Sequence, residues 1–472
     1  LPKDGLCKYT AKPSGTLCGK AGDCASQCYG GSCQKVGVVT GYVGTGANST
    51  INGPVGKGAI AGPIGIAPNP AGGFWVASYD GNRIRAVAAD GTLSGYVGSG
   101  TYGYGEGQGD QVRFRNPWGL AADKDGTLYV ADMNNHRIRK VVKGVVSTLA
   151  GGLSGFADGT KTLAKFKSPR AIALGPKGQL FVADSGNRVI RRIDPKTGKA
   201  ELFAGTVGAS KWVDGPKEKA SFYDPTGLDV GADGTVYVAD RSWNAIRKIR
   251  PDGMVLTVAG YGSSNVHVNG VGRFSSGFYY PEGLMVLPDN TLLIADRYNH
   301  LVRRVWPDGT TTTVVGFDVP AGKNVGAYGH NDGQGGDAKL NGPIAFARDP
   351  KTGVVYVSDY SNRRVRRIQL DVEQCSALSG ISKANSAKSC KAIKPLAKYF
   401  APSAYWVDPD GAGGVDAVRT QCEMSTAGGG WTRIHNGVSE ATIAALNGKE
   451  SRMMLKCTDA GPEYILSPKT AE

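Results

Sequence analysis

Short apolar and polar segments alternate along most of the chain, and residues 117–141 show the pattern most clearly. A small apolar run at 120–122 is followed by the tight-turn pair Asp125-Gly126 and a second apolar run at 128–131. Residues 136–141 then alternate polar and apolar, as a half-buried strand does. A further apolar run at 145–150 ends at two glycines. The pattern predicts a four-stranded antiparallel meander.

This meander is repeated six times. Its first strands begin at Pro63, Pro117, Pro169, Pro225, Pro281 and Pro343. Its third strands carry Arg85, Arg139, Arg191, Arg247, Arg303 and Arg366. Seven residues before each arginine stand Ser78, Asp132, Asp184, Asp240, Asp296 and Asp359. Because one four-stranded sheet cannot bury both of its faces alone, six of them predict an all-β, closed, six-bladed propeller.

The repeat resembles the NHL repeat, which is named for an Asn-His-Leu signature that this chain spells at Asn299-His300-Leu301. The resemblance extends over residues 38–370 and implies a six-bladed NHL β-propeller. It does not imply a single function, because NHL-like propellers occur in RNA-binding proteins, secreted enzymes and cell-surface proteins.

The two ends of the repeat region predict how the ring closes. Residues 36–44 have the character of a fourth strand, whereas the last repeat stops at residue 370 after its third strand. We therefore expect strand 36–44 to complete the last blade, so that the propeller domain is 36–370 and has no open edge.

The repeated Asp–Arg pairs invite two interpretations. They could line a catalytic or anion-binding channel, or they could be a charge-assisted hydrogen bond that builds each blade. A feature that recurs in every blade favours the structural interpretation, because catalytic residues break symmetry. Ser78 is the one departure, and it leaves Arg85 without the expected carboxylate.

Long glycine-rich connections join the repeats, and several contain an insertion typical of NHL repeats, at Asp158-Gly159, Asp214-Gly215 and Asn269-Gly270. They are either spacers between blades or the loops that bind a partner, and the sequence leaves both open. The longest and least alike are 101–115 and 317–341, which makes them the best candidates for partner contacts.

Residues 1–35 form a cysteine-rich segment with too few apolar residues for a core, so we expect disulfides to hold it together. It is similar to EGF-like and disintegrin modules. Its cysteines are Cys7, Cys18, Cys24, Cys28 and Cys33. A zinc site on Cys24 and Cys28 is the alternative, but no histidine lies nearby. Since five is an odd number, one cysteine pairs elsewhere or stays free.

Beyond the repeats, residues 371–403 are predicted to be a linker with a short helix, and 404–472 a second small module. Residues 405–409, 422–424 and 428–432 resemble the opening of a fibrinogen-like or fibrillar-collagen C-terminal domain. The resemblance covers only the N-terminal part of such a domain, so it implies no metal site here. It implies a Cys390–Cys422 disulfide, with Cys375 and Cys457 as the remaining candidates. The predicted fold is thus a propeller with disulfide-rich modules at both ends.

Charge and composition narrow the class of partner. The formal charge is +15, but much of it lies in the third strands, and cysteine-rich ends indicate an oxidising compartment. We therefore expect no nucleic acid partner, and instead other extracellular proteins, an acidic polysaccharide or self-assembly.

No segment is apolar for long enough to span a membrane. We expect Leu1 to be a processed or internal start, and Asn48 to be glycosylated in its Asn-Ser-Thr sequon.

The sequence contains no recognised catalytic motif, and we expect no cofactor or metal. Its histidines are His136, His267, His300, His330 and His435. The first and third share a repeat position, which indicates a structural role, while His267 and His330 lie in connections that could share a face. Secreted amidating lyases resemble this propeller but hold zinc with a histidine set that is not matched here.

We predict an extracellular recognition or scaffold protein of a matrix, surface coat or filament; the alternative is a secreted lyase- or hydrolase-like propeller enzyme.

Overall fold

The computed structural model describes residues 37–260, 262, 267–316 and 328–370, together with eight short strands outside these ranges. The side chains of those eight strands and of Gln334 are not among the described parts. The chain divides into two compact units. One is Val36–Asp371, and the other comprises Leu1–Lys35 and Val372–Glu472.

The unit Val36–Asp371 is a six-bladed propeller, in which each blade has strands A to D from the axis outwards. Blade 1 has Pro63–Pro68, Phe74–Ser78, Arg83–Val87 and Leu93–Val97. Blade 2 has Pro117–Ala122, Leu128–Asp132, Arg137–Val142 and Val145–Gly151. Blade 3 has Pro169–Leu174, Leu180–Asp184, Val189–Ile193 and Lys199–Ala204. Blade 4 has Pro225–Val230, Val236–Asp240, Ala245–Ile249 and Met254–Ala259. Blade 5 has Pro281–Val286, Leu292–Asp296, Leu301–Val305 and Thr311–Val315. Blade 6 has Pro343–Arg348, Val355–Asp359, Arg364–Gln369 and Val38–Val43.

Strand D of blade 6 comes from the start of the propeller sequence. Val38–Val43 pairs antiparallel with Arg364–Gln369, so that Val39 faces Ile368 and Val43 faces Val365. The aromatic ring of Tyr42 lies 5.1 Å from that of Tyr356, which in turn packs on blade 1. The two ends of the ring are therefore joined by backbone hydrogen bonds and by a shared apolar core.

Strand B is buried along its whole length in most blades because both faces of each sheet pack against a neighbouring blade. Six apolar clusters fill these contacts, one for each junction. Four of the junctions contain a fully buried phenylalanine just before strand A. These are Phe114, Phe166, Phe222 and Phe278.

The connections between blades also add structure to the outer edges. Short strands Gly159–Thr160, Gly215–Pro216 and Gly333–Gln334 pair with strand D of blades 3, 4 and 6. Single bridges do the same at Gly53–Leu93, Gly107–Val146 and Gly270–Thr311 in the other blades. Each incoming connection thus covers the exposed edge of the blade that it enters, which prevents pairing with another chain at that position.

Short 3-10 turns follow strand B in four blades, and three more lie in the connections. Those after strand B are Met133–Asn135, Ser185–Asn187, Arg241–Trp243 and Arg297–Asn299. Those in the connections are Gly109–Gln111, Lys161–Leu163 and Gly335–Asp337.

The other unit is described only through its strands. Leu17–Cys18, Ser26–Tyr29 and Ser32–Lys35 form an antiparallel sheet. Ala404–Val407 pairs with Val418–Gln421, while Gly461–Ser467 lies between Thr432–Ile434 and Arg452–Thr458. The predicted linker helix within 371–403 lies outside the described residues. Within the described parts of the chain, no helix is long and apolar enough to cross a membrane.

Candidate functional site

The five repeated Asp–Arg pairs are fully buried ion pairs. The Arg139 guanidinium lies 2.9 Å from the Asp132 carboxylate, and both side chains are completely shielded from solvent. The corresponding distances are 3.3 Å for Asp184–Arg191, 3.6 Å for Asp240–Arg247, 3.0 Å for Asp296–Arg303 and 3.2 Å for Asp359–Arg366. Burial raises the pKa of Asp184, Asp240 and Asp359 to about 6.

Each pair makes hydrogen bonds to the backbone of the connection that enters its blade. Arg139 donates to the carbonyls of Arg113 and Gly105, at 3.5 and 2.7 Å, and Asp132 accepts from the Arg115 amide at 2.8 Å. The other arginines make the same two contacts, to carbonyls 26 or 27 and 34 or 35 residues earlier. This arrangement explains why the spacing repeats, and it supports the structural interpretation of the pairs.

Two further sets of residues belong to this device, and the sequence interpretation missed the first of them. An asparagine three residues after the aspartate donates to its carboxylate, at 2.8 Å in each case, in four blades. These are Asn135, Asn187, Asn299 and Asn362. The Asp-x-x-Asn spacing was visible in the sequence and could have identified them. The second set is the loop residue of the Asp-Gly or Asn-Gly insertion, as in Asp158 and Asn269, which lie 2.7 and 2.6 Å from the same arginines.

Blade 1 has a serine and an arginine in place of the buried Asp–Arg pair. Ser78 donates to the Ala61 carbonyl at 2.6 Å, and Arg85 binds the Asn52 side chain at 2.6 Å and the carbonyls of Ile51 and Ala59. Arg85 is fully buried without a carboxylate among its described partners, and burial lowers its pKa to about 10.

The histidines of the signature connect neighbouring blades. His136 Nδ1 accepts from the Ser168 amide at 3.1 Å, and His300 Nδ1 accepts from the Gly342 amide at 3.0 Å. Both residues have a positive φ. Burial lowers the pKa of both imidazoles, which keeps them neutral and able to accept. Asn82 occupies the same position in blade 1 and accepts from the Asn116 amide at 3.0 Å.

The remaining candidate residues lie apart. His267 is buried with Nε2 3.2 Å from the Thr313 hydroxyl, whereas His330 is exposed. Among the described residues, no group of three or more histidine, cysteine, aspartate or glutamate side chains is placed to hold a metal ion. His435 and the side chains of all nine cysteines lie outside the described parts, so the disulfides and the zinc alternative stay predictions. Asn48 is exposed in the loop before blade 1.

The innermost strands approach one another closely around the axis. A Cβ atom on Gly119 would lie 2.3 Å from the Arg170 carbonyl, and one on Gly283 would lie 2.0 Å from that of Ile344. Glycine is required at these positions because any side chain would push the blades apart. The six strands enclose a cavity of about 70 Å³.

The second residue of strand A is the same only in blades 1 and 6. In blade order these residues are Ile64, Trp118, Arg170, Thr226, Glu282 and Ile344. All of them except Arg170 line one mouth of the cavity. In each blade this residue follows the proline that pairs with the last residue of strand B, as Pro117 does with Asp132. This mouth therefore opens on the face of the propeller that carries the connections and the 3-10 turns, which we call the axial face.

Five charged residues meet at this mouth and form what we call the axial cluster: Arg170, Asp224, Arg241, Glu282 and Arg297. The Glu282 carboxylate is only 1% exposed, and its oxygens lie 3.1, 3.5 and 3.8 Å from Arg297, Arg241 and Arg170. Asp224 lies 3.0 Å from Arg241 and 3.5 Å from Arg170. Burial lowers the pKa of Arg297, but the charge of Glu282, its hydrogen bond to Arg297 and the nearby Tyr298 and Tyr360 together raise that pKa above its ordinary value.

The axial cluster has unused hydrogen-bonding capacity. Arg170 Nε and Arg241 Nε donate no hydrogen bond, and Glu282 Oε1 accepts none, among the described residues. All three atoms are buried, and an unpaired buried polar group is unfavourable. The cluster therefore offers both donors and an acceptor to a bound molecule.

Aromatic rings surround the charged groups. The guanidinium carbon of Arg170 lies 5.0 Å from the Trp118 ring, and Arg241 lies 4.7 Å from the Tyr280 ring. Tyr79 contacts Trp118 edge-on at 5.4 Å. Burial and the nearby Asp80 carboxylate raise the pKa of Tyr79, so its hydroxyl stays protonated.

A second aromatic group lies beside the cluster and forms what we call the aromatic platform: Trp212, Tyr223 and Trp243. The ring centres of Trp212 and Tyr223 each lie 5.7 Å from that of Trp243. Arg188 lies 4.6 Å from the Tyr223 ring, and Trp212 Nε1 donates to the Thr257 hydroxyl at 3.1 Å.

The connections that were predicted to contact partners are described in part. In 101–115, Tyr102 and Tyr104 are about half exposed, and Arg115 and Arg137 lie 4.5 and 4.2 Å from their rings. Residues 317–327 of the second connection lie outside the described parts. Partner binding by either connection stays a prediction.

The profile of the NHL repeat matches residues 114–141 and 278–305, which include strands A to C of blades 2 and 5. The blades are NHL repeats. The profile of the fibrillar collagen C-terminal domain matches residues 362–452.

Related proteins align with the NHL region. NHL repeat-containing protein 2 of Gallus gallus is 27% identical over 298 residues, which are 57% of this chain and 41% of that protein. Protein SUPPRESSOR OF QUENCHING 1, chloroplastic, of Arabidopsis thaliana is 29% identical over 58% of this chain and 27% of its own length. Teneurin-m of Drosophila melanogaster is 28% identical over 56% of this chain and 10% of its own length. The chain thus corresponds to less than half of each relative.

Solved structures share the propeller fold. A protein of unknown function from Bacteroides thetaiotaomicron has a TM-score of 0.55 at 18% identity, over 72% of this chain and 77% of that chain. An auxiliary nutrient binding protein from Bacteroides ovatus has a TM-score of 0.54 at 18% identity, over 72% and 78%. At this identity the likeness is one of fold alone.

Proposed function

We propose that this chain is an extracellular recognition or scaffold protein that binds its partner on the axial face of the NHL propeller. The single observation that carries the proposal is the axial cluster. The repeated ion pairs are used inside the blades, whereas Arg170 and Glu282 are unlike their counterparts in the other blades, and an arginine follows the strand B aspartate only in blades 4 and 5, at Arg241 and Arg297. Recognition of one partner requires this kind of asymmetry.

An extracellular setting is supported by the cysteine-rich segment 1–35, by the exposed sequon at Asn48 and by the likeness of 362–452 to a fibrillar collagen C-terminal domain. The partner in this proposal is another extracellular protein or an acidic polysaccharide. The odd number of cysteines in 1–35 would allow a covalent link between copies of the chain.

The test compares the intact chain with the double variant R170Q/R241Q. Glutamine keeps hydrogen-bonding capacity at two partly exposed positions but removes the charges. R192Q is the matched control, because Arg192 is on the exposed edge of strand C and is paired with Glu201. The three proteins are applied to an array of matrix proteins and acidic polysaccharides. Binding by the intact chain and R192Q that is lost in R170Q/R241Q supports the proposal. Equal binding by all three, or no binding at all, contradicts it.

A secreted propeller enzyme is the second candidate, because Glu282 places a buried carboxylate at the mouth of the axial cavity. Such a group could act as a general base or acid in lyase or hydrolase chemistry. Turnover of a small substrate by the intact chain that is abolished in E282Q, but not in R192Q, would favour the enzyme over the scaffold.

A further inference from the structure

We propose that the axial cluster and the aromatic platform form one binding site for a carboxylated sugar, such as a uronic acid unit of a polysaccharide. This inference rests on the proposed recognition function and names the class of ligand. The two groups of side chains are observed independently of each other, and their arrangement selects the chemistry of the ligand.

The two groups are continuous along the backbone. Tyr223 of the platform immediately precedes Asp224 of the cluster, and Trp243 is on the same 3-10 turn as Arg241. In blade 4, one short segment lies just before strand A and another just after strand B. Both segments therefore present charged groups towards the axis and aromatic rings beside them. A ligand that engages both must carry polar and apolar surface a few ångströms apart.

The platform suits the apolar face of a sugar ring. Its rings are tilted by 48° and 52° rather than stacked, and Tyr223 is 38% exposed. The negative faces of aromatic rings attract the weakly positive C–H groups that line one side of a pyranose. The hydrogen bond from Trp212 to Thr257 fixes one ring in place before any ligand binds.

The hydrogen-bonding capacity of the cluster favours a ligand that carries hydroxyl groups next to its carboxylate. The atoms without a hydrogen bond are two donors, Arg170 Nε and Arg241 Nε, and one acceptor, Glu282 Oε1. Sugar hydroxyl groups both donate and accept, so they can pair with all three. A carboxylate alone only accepts, and it would leave Glu282 Oε1 without a hydrogen bond and facing a like charge.

The charge of the cluster limits the ligand to few negative groups. Three arginines and two carboxylates give one net positive charge, so one carboxylate is balanced. A densely sulfated polymer would bring excess negative charge next to Glu282 and Asp224. The match is therefore to a carboxylated sugar rather than to a strongly charged polyanion.

Isothermal titration calorimetry on the intact chain tests the inference with three probes: a galacturonate oligosaccharide, its carboxyl-reduced neutral counterpart and poly-glutamate. We expect measurable binding of the first, weakening by about tenfold or more for the neutral sugar, and no comparable binding of poly-glutamate. Y223A and R170Q should each weaken galacturonate binding by about tenfold or more. F274A removes an exposed aromatic side chain outside the site and should leave binding unchanged.

Thermal unfolding midpoints of each variant exclude loss of folding as the cause. In the intact chain, tryptophan fluorescence should also change on titration with galacturonate, since Trp212 and Trp243 lie in the site. Equal binding of poly-glutamate, unweakened binding in a folded Y223A variant or absence of galacturonate binding would overturn the inference. If R170Q/R241Q still abolishes binding of a matrix protein while galacturonate does not bind, the recognition function stands and only the sugar assignment fails.

Discussion

Single residues hold the blades of this propeller together by making several hydrogen bonds each. Asp132 accepts from Arg139, from Asn135 and from the Arg115 amide, so its buried charge has three donors. Such a pair contributes little compared with apolar packing, yet removing one partner leaves the other charged and buried. The pairs therefore matter more for holding the connections in one conformation than for net stability.

Asp132→Ala should lower the free energy of unfolding by about 3–5 kcal/mol, because it leaves Arg139 buried without a counter-charge. Chemical denaturation measures the loss. Asp125→Ala is the control, since its pair with Lys124 is exposed and should contribute less than about 1 kcal/mol. Galacturonate binding by folded Asp132→Ala should be unchanged, and a variant of normal stability that lost binding would reverse the structural assignment.

Ser78→Asp should stabilise blade 1, because it supplies the carboxylate that Arg85 lacks. The neighbouring Gly81 leaves room where four of the other blades have asparagine. We expect a gain of about 1 kcal/mol in unfolding free energy, the size of one net charge-assisted hydrogen bond. Ser78→Ala is the comparison, and it should destabilise because the bond to the Ala61 carbonyl is lost. If the two variants destabilise equally, Arg85 is already satisfied by its carbonyl partners.

At the scale of elements, the connections between blades are ordered by the same repeated groups. In blade 3, for example, Arg191, Asp158 of the Asp-Gly insertion and the edge strand Gly159–Thr160 hold the incoming connection at three points. The sequence left open whether these segments are spacers or binding loops. The structure shows that they form ordered contacts with the blades that they enter. These contacts also explain how loops of different length can present side chains such as Trp212 and Tyr223 in fixed positions.

His300→Asn should remove a pH dependence of stability without removing the contact between blades. Burial lowers the pKa of His300 below its ordinary value of 6.5, so the unfolded chain binds the proton more readily than the folded one. The contribution of His300 is therefore complete above pH 6.5 and is lost as the pH falls through the lowered pKa. Asparagine already makes this contact in blade 1 and does not titrate.

Unfolding free energies of the parent and of His300→Asn, measured between neutral pH and about pH 5, should diverge in favour of the variant as the pH falls. Effects of other titrating groups cancel in the difference. His330→Asn is the control because His330 is exposed. A constant difference between parent and His300→Asn across this range would show that folding does not lower the pKa of His300.

At the scale of the whole molecule, the repeated spacing was enough to predict the fold, because one hairpin geometry repeated six times has few ways to bury its faces. The axial site was not predicted. Arg170, Glu282 and Asp224 are 54 to 112 residues apart in sequence, and the packing of blades 3, 4 and 5 side by side brings them together. No local pattern marks them, since each simply follows or precedes the proline of a different strand A. Sequence repetition reveals what the blades share, whereas the site depends on what they do not share.

Deleting residues 36–44 should abolish cooperative unfolding of the propeller. Val38–Val43 supplies the outer strand of blade 6, and Val39 and Val43 are buried in two different junction cores. Without it, Arg364–Gln369 presents an unpaired edge, and the contact of Tyr42 with Tyr356 is lost. Blades 6 and 1 then separate, the six innermost strands no longer enclose the axis, and the axial cluster loses its geometry. Calorimetry should show a broad, low-temperature transition in place of a single peak, and galacturonate binding should disappear with it.

Replacing 45–50 by a Gly-Ser segment is the matched control, because it alters the loop that follows and leaves the strand in place. A deletion that melts like the parent would mean that the ring is held closed by packing alone.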